Sequence, residues 1–276
     1  MSNDDPGEAP QQALIGGATR LYAMIGDPIA QVKSPRIFNP LFASAGRDAV
    51  LIPVHIRADR FEETMRGLLS LGNLDGLIVT IPFKARALAL IDVAMPMADM
   101  VGAVNAIRRD ADGRWSGDIF DGRGLVEGLL ARNVALVGKS VMLLGAGGAG
   151  SAVAIALAEA GVSAITIFDI DGEKAENLQR RLSRHFPRCD ARTGPVDIGG
   201  HQYLINATPC GMAPFHGLPT PVDDLTPDVT VIDIIMEPEV TELLAQAKSR
   251  GCRTFGGRVM IDGQAAAMMK FFGIPT

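Results

Sequence analysis

Cysteine, tyrosine, tryptophan and histidine are scarce in this chain of 276 residues, which holds three, two, one and four of them. Cys189, Cys210 and Cys252 are far apart and form no CxxC pair. Neither a disulfide framework nor a zinc site is indicated, and reduced thiols in a cytoplasmic protein are expected. His55, His185, His201 and His216 lack metal-ligand spacing, and there is no GxSxG elbow or phosphate-loop lysine. No metal is expected. Basic excess is missing too: 26 Lys and Arg stand against 31 Asp and Glu, with no basic block. That leaves no electrostatic footprint for a nucleic-acid backbone. Long apolar runs are also absent. Glu159, Asp169 or a glycine breaks each one well before the roughly 18 residues a membrane span needs, so no membrane partner is expected. The opening MSNDDPGEAPQQ is acidic and polar, unlike a signal peptide, and residues 1–18 are read as a disordered tail.

What the chain does have is apolar side chain, 47% of residues, enough for a large core at a length that suits two domains of roughly 100–150 residues. Residues 21–25 form an apolar run that ends at Gly26-Asp27-Pro28, a strand entering a loop. Ser34-Pro35 then fits a helix start, with Ser34 as the cap and Ile37, Leu41 and Phe42 at helical spacing. Strands are predicted at 50–56 and 76–81 and helices at 60–71 and 84–91, an alternation that implies a parallel or mixed sheet covered by helices. Residues 102–124, rich in Gly, Asp and Arg, are read as irregular, with a helix following at 125–132 and the domain boundary placed there. Beyond it strands are predicted at 141–144, 164–168, 203–206 and 229–235, and helices at 149–160, 173–185 and 241–250. The apolar, Ala- and Met-rich segment 259–272 is predicted to be a helix that returns to the first domain. The fold class is therefore α/β, with an N-terminal α/β domain over 19–122, completed by 258–276, and a Rossmann domain over 123–257.

Gly145-x-Gly147-x-x-Gly150 lies between a clear strand and a clear helix, the context in which this pattern marks a dinucleotide site. Gly145 permits the tight turn, Gly147 lets the backbone approach a pyrophosphate, and Gly150 lets helix and strand pack closely. The phosphates would meet free amides at the positive end of the helix. Three glycines could also serve nothing more than a tight strand–helix turn. Asp169 follows the next strand, 19 residues after Gly150, where an acid accepts from ribose hydroxyls and repels a 2′-phosphate. NAD is expected over NADP, with NADP as the second choice. The alternative for Asp169 is a helix cap.

The strings IGDPIAQVKSP, GLIVTIPFKARAL, GAVNAIRR, GDIFDGRG, LLGAGGAGSAVAIAL, LINATPCGM and GGRVMIDGQA resemble, in order and spacing, the signature segments of shikimate dehydrogenases and their quinate-using relatives. The resemblance covers nearly the whole chain after about residue 20. It implies a substrate domain and a nicotinamide domain around a cleft, hydride transfer between cofactor and a secondary alcohol or ketone of a cyclic hydroxy acid, and a place in aromatic amino acid biosynthesis. It further implies Lys84 and Asp121 as the catalytic pair, with Ser34, Thr80, Asn105 and Gln264 at the substrate. On the cofactor side it implies Gly145, Ala146, Gly147, Gly148, Ala149, Gly150, Asn206, Ala207, Thr208 and Met212. The assembly expected is a monomer or homodimer.

The chain departs from that pattern at several points together. Val32 stands where a second serine is usual, Ile78 where an Asn is usual, Ile119 and Phe120 where an Asn-Thr pair is usual, and Met236 where a Tyr is usual. A pocket more apolar at so many points implies an altered or relaxed substrate choice, with a less hydroxylated ring acid as the candidate. Two other readings compete. One is a dinucleotide-binding sensor or scaffold with lost activity, which would have no need of both Lys84 and Asp121. The other is a folate-type dehydrogenase, which would lack the paired VTIPFK and GDxxDG segments.

Overall fold

The computed structural model describes residues 15–275. The tail expected over 1–18 lies, for residues 1–14, outside the described residues. The first half opens with strand β1 (Arg20–Gly26), helix α1 (Ser34–Ser44), strand β2 (Ala49–His55), helix α2 (Phe61–Leu69) and strand β3 (Leu74–Val79). Short elements follow: α3 (Lys84–Leu88), β4 (Val93–Ala94), α4 (Pro96–Val101), β5 (Ala106–Arg109) and β6 (Trp115–Asp118). Their sheet runs β2-β1-β3-β5-β6-β4. β1, β2 and β3 are parallel, and β5 enters antiparallel to both β3 and β6.

Helix α5 (Asp121–Leu130) leads into the second half, which comprises β7 (Ser140–Leu144), α6 (Gly148–Glu159), β8 (Ala164–Phe168), α7 (Gly172–His185), β9 (Asp190–Thr193), β10 (Tyr203–Asn206), β11 (Thr230–Asp233), α8 (Glu242–Ser249) and β12 (Arg253–Phe255). Its sheet is parallel throughout, in the order β12-β11-β10-β7-β8-β9. Read from β9, that is the doubly wound dinucleotide-binding order, whose direction reverses between β7 and β10. Helix α9 (Arg258–Phe271) closes the chain. Val259 and Met260 at its start pack in the core of the second half, whereas Met268, Met269 and Phe271 pack with Tyr22, Phe38 and Phe42 of the first. It therefore does return to the first half, as its apolar faces require.

Three local expectations are corrected. Residues 102–124 are not irregular: they hold β5, β6 and the first turn of α5, so Asp121 begins a helix rather than sitting in a loop. The strands escaped the sequence because each is four residues long and AIRR and WSGD show no clean alternation. Ser34 is not a cap: no side chain caps α1, and the Ser34 side chain is buried inside the first turn. The edge strands β9 and β12 were also missed, since short polar edge strands carry little apolar signal.

Candidate active site

The carboxyl ends of the two sheets face one cleft of about 570 Å³, lined from the first half by Ser34, Thr80, Lys84, Asn105 and Asp121, and from the second by Gly147, Gly148, Ala149, Ala207 and Thr208. The turn after β3 delivers Lys84. The Thr80 amide bonds to the Ile25 carbonyl and the Phe83 amide to the Thr80 carbonyl, and the fully buried Phe83 ring stacks on Phe61 with centroids 4.2 Å apart. With that ring anchored in the core, Lys84 at the first position of α3 is left on the cleft side. Asp121 comes from the start of α5, where the helix favours negative charge. The Lys84 Nζ and Asp121 Oδ2 lie 2.5 Å apart, with their side chains only 15% and 4% exposed. In so dry a pair the mutual attraction is less screened by water than at the surface, against the cost of desolvating both charges.

Asn105 completes the arrangement. Its backbone is tied into the sheet, with the Val79 amide donating to its carbonyl and its own amide donating to the Asp118 carbonyl. The side-chain Nδ2 donates to Asp121 Oδ1 at 2.9 Å and approaches Gln264 Oε1 at 3.5 Å, while Oδ1 accepts from the Phe120 amide at 2.9 Å. Gln264 is 6% exposed on the buried face of α9, whose other members are apolar, and the Asn105 contact is what satisfies its buried carbonyl oxygen. An amine, a carboxylate and two amides, from three helices and the turn before β5, thus meet at one end of the cleft.

The second half contributes a cradle. No side chain caps α6, so the first amides of that helix stay free, as an anion site requires. Gly145 has φ +96°, and a Cβ there would lie 2.9 Å from the Ala207 backbone; one at Gly150 would lie 2.0 Å from the Gly145 carbonyl oxygen. A Cβ at Gly147 would meet nothing within 4 Å, so the turn leaves open space in front of the backbone. The residues present therefore fit a dinucleotide pyrophosphate. Asp169, just beyond β8, accepts from the Ala146 amide at 2.7 Å and the Asp171 amide at 2.9 Å. Asp171, not Asp169, precedes α7. Among the described residues, no group of His, Cys, Asp and Glu could hold a metal ion.

Thr208 and Met212 line the cleft, whereas Asn206 is fully buried behind it. Asn206 donates to the Cys210 carbonyl and to Asp233 Oδ1, each at 3.1 Å, and accepts from both the amide and hydroxyl of Thr208. Asp233, also fully buried, accepts from the Thr241 hydroxyl at 2.6 Å and the Ile235 amide at 3.1 Å, and burial pushes its carboxyl up from the ordinary range. Sequence reasoning missed Asp233, although an acid inside a strand read as apolar was the available signal. It also missed Lys33, which lines the cleft and pairs with Glu237 at 2.5 Å across the two halves. Met24, Val32, Ile78, Met236, Met260 and Met268 give the cleft much of its apolar lining.

Residues 24–107 match the family model described as the shikimate dehydrogenase substrate binding domain, and residues 131–186 match the ThiF family. The chain is 33% identical over 267 residues to a shikimate dehydrogenase (NADP(+)) of Alkaliphilus metalliredigens, covering 94% of this chain and 93% of that one. The structure of shikimate 5-dehydrogenase from Listeria monocytogenes, in complex with shikimate and NAD, superposes with a TM-score of 0.82 at 31% identity, covering 94% of this chain and 93% of that one. Quinate dehydrogenase from Corynebacterium glutamicum, in complex with NAD, gives a TM-score of 0.79 at 31% identity, covering 92% of this chain and 93% of that one.

Proposed function

The chain belongs to the shikimate dehydrogenase family, and we propose that Lys84 and Asp121 are the pair with which it moves a proton during hydride exchange between NAD(P) and a cyclic hydroxy acid. The observation that carries this reading is the 2.5 Å contact between a nearly dry amine and a nearly dry carboxylate, facing a free helix N-terminus across one cleft. The bound nicotinamide supplies the hydride chemistry. In the oxidation direction the substrate hydroxyl must lose its proton as its carbon gives up hydride to the nicotinamide; Lys84, as the neutral amine, would take that proton and become the ammonium that pairs with Asp121. Asp121, fixed by Asn105, orients the amine. Thr80, Asn105 and Gln264 hold ring hydroxyls, and Ser34 holds the carboxylate. A sensor would gain nothing from keeping the amine and acid in register.

The cofactor preference follows from Asp169, whose carboxylate disfavours a 2′-phosphate and accepts from a 2′-hydroxyl, so NAD is the better partner. Gly145, Ala146, Gly147, Gly148, Ala149 and Gly150 would cradle the pyrophosphate. Ala207, Thr208 and Met212 would border the nicotinamide, with Asn206 holding their loop from behind. The substrate is a ring acid with fewer hydroxyls than shikimate, because Val32, Ile78 and Met236 offer none of the partners such hydroxyls need. The domains divide as 19–122 with 258–276 for the substrate and 123–257 for the cofactor. The protein works as a monomer or homodimer in the cytoplasm; no described helix is long and apolar enough to cross a membrane.

Steady-state assays with both cofactors over a panel of cyclic hydroxy acids test the reading. Lys84→Ala should bind nucleotide normally and lose about a hundred- to ten-thousandfold in kcat/KM. Retained turnover in that variant would rule out the assigned role.

A further inference from the structure

Next to the catalytic cleft lies a second cavity of about 450 Å³, between α1, the loop after β11 and the start of α9. The two cavities share Lys33, Ile235, Met236 and Ile261, so these side chains form the wall between them. Ile37, Leu41 and Ala265 line the second cavity and not the first, and most of its surface is apolar. Charged groups, namely Arg36, Glu239, Arg258 and Asp262, occur on its exposed rim. Nothing in the proton transfer uses this space.

The wall is built to yield. Met236 is unbranched and only half-buried, and such a side chain rotates among conformers at little cost. Lys33 is held there by Glu237, with 41% and 52% of the two side chains exposed, and an ion pair so wet contributes little. A space of about 150 Å³ is enough to admit a benzene ring, and the second cavity exceeds that.

We propose that the substrate site continues past Met236 into the second cavity, and that the enzyme takes a cyclic hydroxy acid carrying an apolar substituent of aryl or similar size. This rests on the dehydrogenase reading above. The ring lies at Lys84 with its carboxylate toward Ser34, and the substituent lies against Ile37 and Leu41. The occupant is a small-molecule arm rather than a protein, because the space adjoins the reacting centre and charge confines it on the outside.

The test compares a hydroxycyclohexane carboxylate with and without a phenyl group on the ring, using NAD and NADP. Wild-type enzyme should prefer the phenyl compound at least tenfold in kcat/KM, mostly through KM. Ile37→Trp and, independently, Leu41→Phe each fill the second cavity from α1, and each should cut that preference about tenfold. A wild type indifferent to the phenyl group, or a preference that survives both folded variants, overturns the inference and leaves the dehydrogenase reading intact. If neither ring acid is oxidised while other cyclic hydroxy acids are, the inference fails alone; if none is oxidised, the underlying reading fails with it.

Discussion

In the proposed cofactor reading, Asp169 would weigh on the choice between NAD and NADP through a single charge. Held by two backbone amides, it cannot swing away from an incoming 2′-phosphate, and two like charges about 4 Å apart repel by about 4 kcal/mol at an effective dielectric of 20. Asp169→Asn keeps the shape and removes the charge, so the ratio of kcat/KM with NADP to that with NAD should rise about tenfold or more. An unchanged ratio would mean that selection lies elsewhere. This residue was legible in the sequence because a strand, three glycines and an acid at fixed spacing form a local pattern. Asp233 was not. Asn206, 27 residues back, is brought to it by the pairing of β10 with β11, and Thr241, 8 residues on, by the start of α8. Burial favours the protonated form of Asp233 in the folded state. Its contribution to stability is therefore complete below the ordinary carboxylate range and is lost as pH rises through the raised value. Asp233→Asn should flatten the decline in unfolding free energy above about pH 4 relative to wild type, as read by denaturant titrations across pH. Parallel curves for the two proteins would refute this.

Helix α5 is the element on which the two halves meet, and its glycines set how close they come. A Cβ at Gly122 would lie 1.9 Å from the Ala152 carbonyl oxygen, and one at Gly263 on α9 would lie 2.1 Å from that of Gly124. Backbone stands at each contact, so nothing can rotate out of the way. Gly263→Ala should lower the unfolding free energy by about 1–3 kcal/mol or more, seen as a fall in Tm. Gly67→Ala on α2, where the new methyl meets nothing within 4 Å, should instead be neutral or stabilise by up to about 1 kcal/mol. Equal effects at both positions would show that packing is not the cause. Long amphipathic helices such as α7 were readable from their period, whereas the β5–β6 pair was not, because short strands with charged residues become strands only when a neighbour supplies the hydrogen bonds.

At the scale of the whole molecule, two sheets share one closing helix. α9 places Val259 and Met260 in one core and Met268, Met269 and Phe271 in another, so its loss exposes apolar surface in both halves. The full chain should unfold in a single calorimetric transition, and a chain ending before Arg258 should show no cooperative transition. Two separate transitions in the full chain would contradict the coupling. The sequence by itself determined the alternation of strands and helices, the dinucleotide turn and the family, since each is written in neighbouring residues and acts through local backbone geometry. The resemblance paired Lys84 with Asp121 and set Asn105 and Gln264 at one site, but only the tertiary structure decided the contacts themselves, Lys84 to Asp121 37 residues on and Asn105 to Gln264 159 residues on, and that a second cavity adjoins the cleft. Hydrogen bonds and dispersion act over a few ångströms, and which distant side chains come that close is set by how the whole chain buries its apolar surface.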